Sequence, residues 1–304
     1  MRLKCTYILL LMSFLISFNK GQSQSLPMYS QYMYNMVNIN PAYAGNRGVP
    51  SATLLWREQW AGMPGAPSTK SLSLDLPNSS KTMGYGVQFF DDKYANVLRR
   101  TGVNLFYNIK VKVTENGVLG LGFKGGFYNN TKNLTNVDLG PVPGYDLAFA
   151  SNINKIVPQL GTGVYYNDDH FYLGVSMPDV ITFLNKQDKN IYQVVDNHFF
   201  LTSGYSFNVN EDLEIKPSVM LKAAKGAPLA IDYNTNVWLK NKIGVGVSYR
   251  KKESVLALLE LQANPKLRIG YAYDMPFNKP NSHELFLRFE FGDVFPSNKT
   301  FKIF

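Results

Sequence analysis

The chain is almost without cysteine. Cys5 stands alone and precedes the first apolar run rather than following it. That order does not fit a lipoprotein signal, and the chain downstream can form neither a disulfide nor a thiolate metal site. Histidine is scarce as well. His170, His198 and His283 each fall at the start of an expected strand, and none meets another at ligand spacing. No G-x-S-x-G, H-E-x-x-H or P-loop occurs. No Lys/Arg run suggests a nucleic-acid groove. The apolar run Tyr7–Phe18 is too short for a spanning helix, and no second run is long enough for one. These absences argue against an enzyme, a cofactor, a resident metal or a nucleic-acid partner.

Tyr7–Phe18 follows Arg2 and Lys4 and precedes the small residues Gly21 and Ser23. This is the order of a secretory signal peptide, placed at residues 1–23. Removing Arg2, Lys4 and Lys20 takes the basic count from 31 to 28 against 22 acids, so the net charge falls from +9 to +6. That is mild.

What is abundant is aromatic residues, with 19 Tyr and 20 Phe, and alternation. In His283–Gly292, Leu285, Leu287, Phe289 and Phe291 alternate with Glu284, Phe286, Arg288 and Glu290. Period 2 reads as a strand with one greasy and one wet face. In a soluble sandwich the greasy face points in; in a membrane barrel it points out and the charges line the lumen. Recurrence separates the two. About fourteen such stretches run from Ser51 to Gly292, mostly long enough to cross a membrane when tilted. They include Gly117–Tyr128, Pro158–Asn167, Asp169–Met177 and His198–Val209. Tight connections such as Pro77–Lys81, Asp168 and Lys240–Asn241 alternate with others that include the long Asn129–Val157 and Pro178–Asn197. Sorting of short turns to one side and long loops to the other is how an outer-membrane barrel is built. The expected fold is all-β, an antiparallel transmembrane barrel over 51–292 with both termini periplasmic.

Gly120, Gly122 and Gly125 have G-x-G-x-x-G spacing, but they sit inside an alternating strand with no helix after it. Small lumen-facing residues explain them better than a dinucleotide loop. Asp91-Asp92 and Asp168-Asp169 fall where turns are expected, and turns favour Asp for its own backbone hydrogen bonds. An outer loop bearing Asp91 and Asp92 also leaves room for Ca²⁺.

Two stretches look specialised. Ser30–Gly45, SQYMYNMVNINPAYAG, has no steady period and is rich in Tyr and Asn. Tyr32, Tyr34, Asn35, Asn40, Pro41 and Tyr43 suit a polar, half-buried plug across the lumen or its periplasmic mouth. Trp56–Pro67, WREQWAGMPGAP, offers Trp56, Arg57, Trp60, Met63, Pro64 and Pro67 as a rigid recognition surface. An interfacial aromatic belt with an ordinary turn would look the same.

At these stretches the chain resembles the PorP/SprF family of Bacteroidota outer-membrane proteins. Ser30–Gly45, WREQWAGMPGAPSTKSLSLDLP at Trp56–Pro77, FYLGVSMPDV at Phe171–Val180, and YAYDMPFN…NSHELFLRFEF at Tyr271–Phe291 carry the likeness in order. It departs at Pro27, where the family commonly has an acid, and at Met36-Val37, where it often has Asn-Pro. The resemblance implies a non-enzymatic barrel of type IX secretion and gliding motility. Such a barrel helps secrete or anchor a large adhesin bearing a type IX C-terminal domain. It also implies links to periplasmic ring or peptidoglycan-binding components. The residues alone leave a passive channel for small or hydrophobic solutes open, since a barrel of this width has a pore unless something fills it. The expected organisation is a signal peptide at 1–23, a plug segment at 24–50, the barrel at 51–292 and a periplasmic tail at 293–304.

Overall fold

In the final strand, the alternation seen in the sequence is inside out. Glu284, Phe286, Arg288 and Glu290 are buried, whereas Leu285, Leu287 and Phe289 are exposed. A soluble protein would place them the other way. The computed structural model describes residues 30–136, 149, 151–182, 198–224 and 227–291. The expected signal peptide and the tail at 293–304 lie outside the described residues. Among the described residues no helix is long and apolar enough to cross a membrane.

The structure is a closed antiparallel barrel of fourteen strands. They are β1 Ser51–Glu58, β2 Ser68–Pro77, β3 Met83–Tyr94, β4 Leu98–Lys112, β5 Val118–Lys132, β6 Ile153–Asn167, β7 Phe171–Thr182, β8 His198–Tyr205 with a continuation at Phe207–Asn208, β9 Leu213–Ala224, β10 Ala230–Leu239, β11 Ile243–Arg250, β12 Ser254–Asn264, β13 Leu267–Pro276 and β14 Ser282–Glu290. Each pairs with its sequence neighbours. β14 closes on β1 in a register running from Ser51↔Glu290 to Glu58↔His283. Closure leaves no unpaired strand edge to template aggregation. One rim carries only tight turns. The other carries the connections at 59–67, 133–152 and 183–197, and we call it the long-loop rim.

Three strands reach further toward the long-loop rim than alternation suggests. β5 runs past Tyr128 to Lys132, β6 starts at Ile153 rather than Pro158, and β7 ends at Thr182 rather than Met177. Pro158 lies within β6 opposite Phe127, beyond Gln159 where the described pairing to β7 ends. A residue with no N–H is tolerated where one neighbouring ladder has lapsed. Proline also accompanies two of the irregularities; a third shifts the β12–β13 register between Gln262 and Asn264. The β6–β7 register shifts between Leu160 and Thr162, opposite Pro178. β8 is interrupted at Ser206, and Pro217 of β9 falls in the gap between its pairing blocks with the two parts of β8.

Candidate functional site

The lumen is not empty. Ser30–Arg47 lies inside the barrel, and its residues are buried almost without exception. It folds as three 3-10 turns, Tyr32–Tyr34, Met36–Asn38 and Pro41–Tyr43. The last is set locally. Asn40 Oδ1 accepts a hydrogen bond from the Ala42 N–H at 2.9 Å, and Pro41 follows at the first helical position. Gly45 turns the chain out with φ +68°, a value that suits glycine.

The segment descends the lumen. At its top, nearest the long-loop rim, the backbone N–H groups of Ser30 and Gln31 donate to the Glu284 carboxylate at 2.7 and 2.8 Å. Arg57 donates to the Ser30 hydroxyl. Midway, Asn40 Nδ2 donates to the Val164 carbonyl at 2.9 Å, and Ser176 Oγ to the Ile39 carbonyl at 2.7 Å. Asn234 Nδ2 donates to the Tyr32 hydroxyl at 2.7 Å, and Arg288 to the Tyr34 carbonyl. At the foot, Asn108 Nδ2 donates to the carbonyls of Ala42 and Ala44 at 2.6 and 2.9 Å. Gly45 N–H donates to Asp75, and Lys110 to the Gly45 carbonyl. The partners come from β1, β2, β4, β6, β7, β10 and β14, so the segment is held from all sides. Satisfied polar groups of this kind specify one arrangement, because each would be costly to leave unpaired in the interior.

Packing is as close as the hydrogen bonding. A Cβ on Gly84 would overlap the Ala44 carbonyl, and one on Gly122 would overlap the Pro41–Ala42 peptide. Gly84, Gly120, Gly122 and Gly163 of the wet faces are thus where the segment presses against the wall. Tyr34 stacks on Phe286 at 5.4 Å between ring centroids, and Tyr43 meets Tyr165 edge-on at 5.3 Å. Burial holds the Tyr32 and Tyr34 phenols well above their ordinary pKa, so both stay neutral. Tyr32, Tyr34, Asn35, Asn40, Pro41 and Tyr43 are all buried here.

Above the segment the wall carries ion pairs. Arg57 joins Asp274 at 2.9 Å and Glu284 at 3.3 Å; Arg250 joins Asp232 at 3.2 Å and Asp274 at 3.6 Å. The chain Glu284–Arg57–Asp274–Arg250–Asp232 therefore links β14, β1, β13, β11 and β10. On the other side, Lys124 meets Asp179 at 2.7 Å. The irregular pairing at Pro178 turns Asp179 inward. A cavity of about 100 Å³ lies there, lined by Asn38, Asp92, Arg100, Lys124, Asp179 and Lys222 among others. None of this was legible as a site in the sequence. The available signal was that charges recur on wet faces near the long-loop ends of the strands.

The stretch Trp56–Pro67 is divided. Trp56 points outward and is 48% exposed, while Arg57 points inward and is buried, as period 2 requires. Trp60, Met63, Pro64 and Pro67 belong to the loop at 59–67. That loop is well tied. Gln59 N–H donates to Pro67 O at 2.9 Å, Ala61 N–H to Asn281 O at 2.8 Å, and Ala95 N–H to Gly65 O at 2.9 Å. Met63 and Pro64 are exposed, Pro67 is buried, and Lys279 Nζ lies 4.5 Å from the Trp60 ring centroid.

The aspartate pairs resolve differently from one another. Asp91 and Asp92 are strand residues of β3, not loop residues. Asp91 points out to Arg99 and Thr101 at 2.6 and 2.7 Å, and Asp92 is buried inside. Adjacent strand residues face opposite ways, so the two cannot share a Ca²⁺ ion. Asp168 accepts from the N–H groups of His170 and Phe171 at 2.9 and 2.8 Å, an Asx turn. Among the described residues no cluster of His, Cys, Asp and Glu could hold a metal. The histidines are apart: His170 stacks with Tyr205, His198 with Phe200, and His283 bonds Tyr271 at 2.7 Å.

A family described as "Type IX secretion system membrane protein PorP/SprF" matches residues 21–289. The chain belongs to the PorP/SprF family. It is therefore an outer-membrane barrel protein of type IX secretion. No curated protein is significantly similar to it. Solved structures that the chain is similar to include a Pseudomonas aeruginosa FadL homologue, 12% identical over 90% of this chain and 96% of that one, with a TM-score of 0.47. Acinetobacter baumannii Omp33 is 9% identical over 80% and 96%, with a TM-score of 0.46. The KdgM porin is 8% identical over 80% and 99%, with a TM-score of 0.42.

Proposed function

We propose that this PorP/SprF protein is a closed interaction barrel that holds a type IX adhesin at the cell surface and is not a passive channel. The observation that carries the reading is the lumen segment Ser30–Arg47, hydrogen-bonded around the circumference of the wall. A segment so held acts as a plug and serves the barrel as a rigid support. No bond is made or broken by the protein. Short turns mark the periplasmic rim and the long-loop rim faces outward. The tail Asp293–Phe304, with Lys299 and Lys302, then meets periplasmic ring or peptidoglycan-binding components. The adhesin's C-terminal domain is taken by Trp60–Pro67 together with the connections at 133–152 and 183–197, what remains of the expected loops Asn129–Val157 and Pro178–Asn197 once β5, β6 and β7 have claimed their ends; both have the reach to wrap a folded domain. Of these, Trp60–Pro67 supplies the pre-ordered aromatic surface, and order before binding lowers the entropic cost of capture.

The test is conductance in a planar bilayer. The intact protein should stay closed, and the variant lacking Leu26–Ala44 should open while remaining heat-resistant as a barrel. If the intact protein conducts steadily, the channel reading replaces this one. If the deletion leaves both conductance and folding unchanged, the segment is not a plug.

A further inference from the structure

The outward wall of the barrel is apolar nearly everywhere, as a lipid-facing surface must be. Among the described strand residues, every outward-facing Lys, Arg, Asp and Glu lies in one patch, on β1–β4 at the long-loop rim: Glu58, Lys70, Asp91, Lys93 and Arg99. Cross-strand register brings them together. Trp56 faces Lys70, Lys70 faces Asp91, and Lys93 faces Arg99. Glu58 is the register partner of Ser68, and Ser68 of Lys93.

The two carboxylates are already engaged within the patch. Asp91 accepts from Arg99 and Thr101 at 2.6 and 2.7 Å, and Glu58 accepts from Ser68 Oγ at 2.7 Å and from Trp56 Nε1. The cations remain exposed, with Lys70 4.9 Å from the Trp56 ring centroid. Directly beneath, toward the middle of the wall, Leu54, Leu72 and Phe89 are register neighbours 48, 39 and 51% exposed. A cationic cluster over an apolar wall matches both halves of an anionic lipid.

We propose that this patch is a binding site for a phosphate-bearing lipid of the leaflet at the long-loop rim. Lys70, Lys93 and Arg99 hold the headgroup phosphate, and the acyl chains lie along Leu54, Leu72 and Phe89. Guanidinium and ammonium groups suit a phosphate by charge and donor geometry, and basic residues at this depth draw anionic headgroups. The asymmetry gives the barrel a preferred lipid contact on one side of its circumference. It also places an ordered lipid beside the loop at 59–67.

Native mass spectrometry of the full-length protein in detergent, with phosphatidylglycerol or phosphatidylcholine added, tests the site. The wild type should retain phosphatidylglycerol preferentially. Combining Lys70→Gln, Lys93→Gln and Arg99→Gln should weaken that retention about tenfold or more. Lys251→Gln with Lys252→Gln, in the exposed turn between β11 and β12 at the same rim, should leave it unchanged. Heat-modifiability checks that each variant is folded; Lys93→Gln alone, expected to lose several-fold, serves if the triple variant is not. Equal retention by the triple variant, or equal loss in the Lys251/Lys252 control, overturns the proposal. Displacement of the lipid by millimolar inorganic phosphate overturns the lipid assignment in favour of phosphate alone.

Discussion

Gly84 and Ala44 meet backbone to backbone: the space a Cβ would take on Gly84 is filled by the Ala44 carbonyl. Gly45 is also tight against it, since a Cβ there would stand 2.5 Å from the Gly84 Cα. This is where the lumen segment leaves the barrel and the wall begins, so fit at one glycine governs whether the segment can seat.

Gly84→Ala should therefore unseat the foot of the segment. Overpacking against backbone costs about 1–3 kcal/mol, and the strand cannot yield easily because it is paired on both sides. The expected result is a folded barrel with intermittent conductance and faster proteolysis near Tyr43–Arg47. Gly86→Ala serves as the comparison, because a Cβ there meets a side chain, Phe106, that can turn. Equal behaviour of the two variants would contradict the account.

Arg57→Ala should be the most damaging single change near the long-loop rim. It leaves Asp274 and Glu284 buried without their shared cation and removes the donor to Ser30. Breaking a buried pair from one side costs about 3–5 kcal/mol. A lowered temperature in the heat-modifiability shift on gels would register it. In Asp274→Asn both cations keep a carboxylate, Arg57 with Glu284 at 3.3 Å and Arg250 with Asp232 at 3.2 Å, so Asp274→Asn should cost less than Arg57→Ala. The reverse order would mean that Arg250, not Arg57, anchors the network.

Trp60→Ala with Met63→Ala should release the adhesin into the medium while the barrel stays inserted and heat-stable. Both residues sit on a loop fixed by backbone hydrogen bonds, so the change removes surface without loosening the frame. The readout is partition of the adhesin between cells and medium. Wild-type retention by the double variant, and by a truncation within the connection at 133–152, would remove the cargo site from this rim.

Much of the fold is legible in the chain because it is local. Leu285, Leu287 and Phe289 against Glu284, Arg288 and Glu290 announce a two-faced strand, and the tight turns at Asp168 and Lys240–Asn241 announce which ends are short. The same locality misleads at Pro158, where a missing N–H reads as a strand start although the ladder to β5 continues through it. At Asp91-Asp92, acid pairs resemble a turn, yet cross-strand partners hold both residues in β3.

Period and turn chemistry thus determined from sequence that the chain makes strands, roughly where, and with which residues sharing a face. Tertiary structure alone decided what lies behind each face. Whether wet faces enclose water or protein depended on Ser30–Arg47 finding partners as far along the chain as Glu284 and Arg288. Whether Arg57 belonged to a surface or to the interior depended on Asp274, 217 residues away. Local propensity has no access to such distances; only closure of β14 on β1 brings these groups into one low-dielectric space, where each must find its partner.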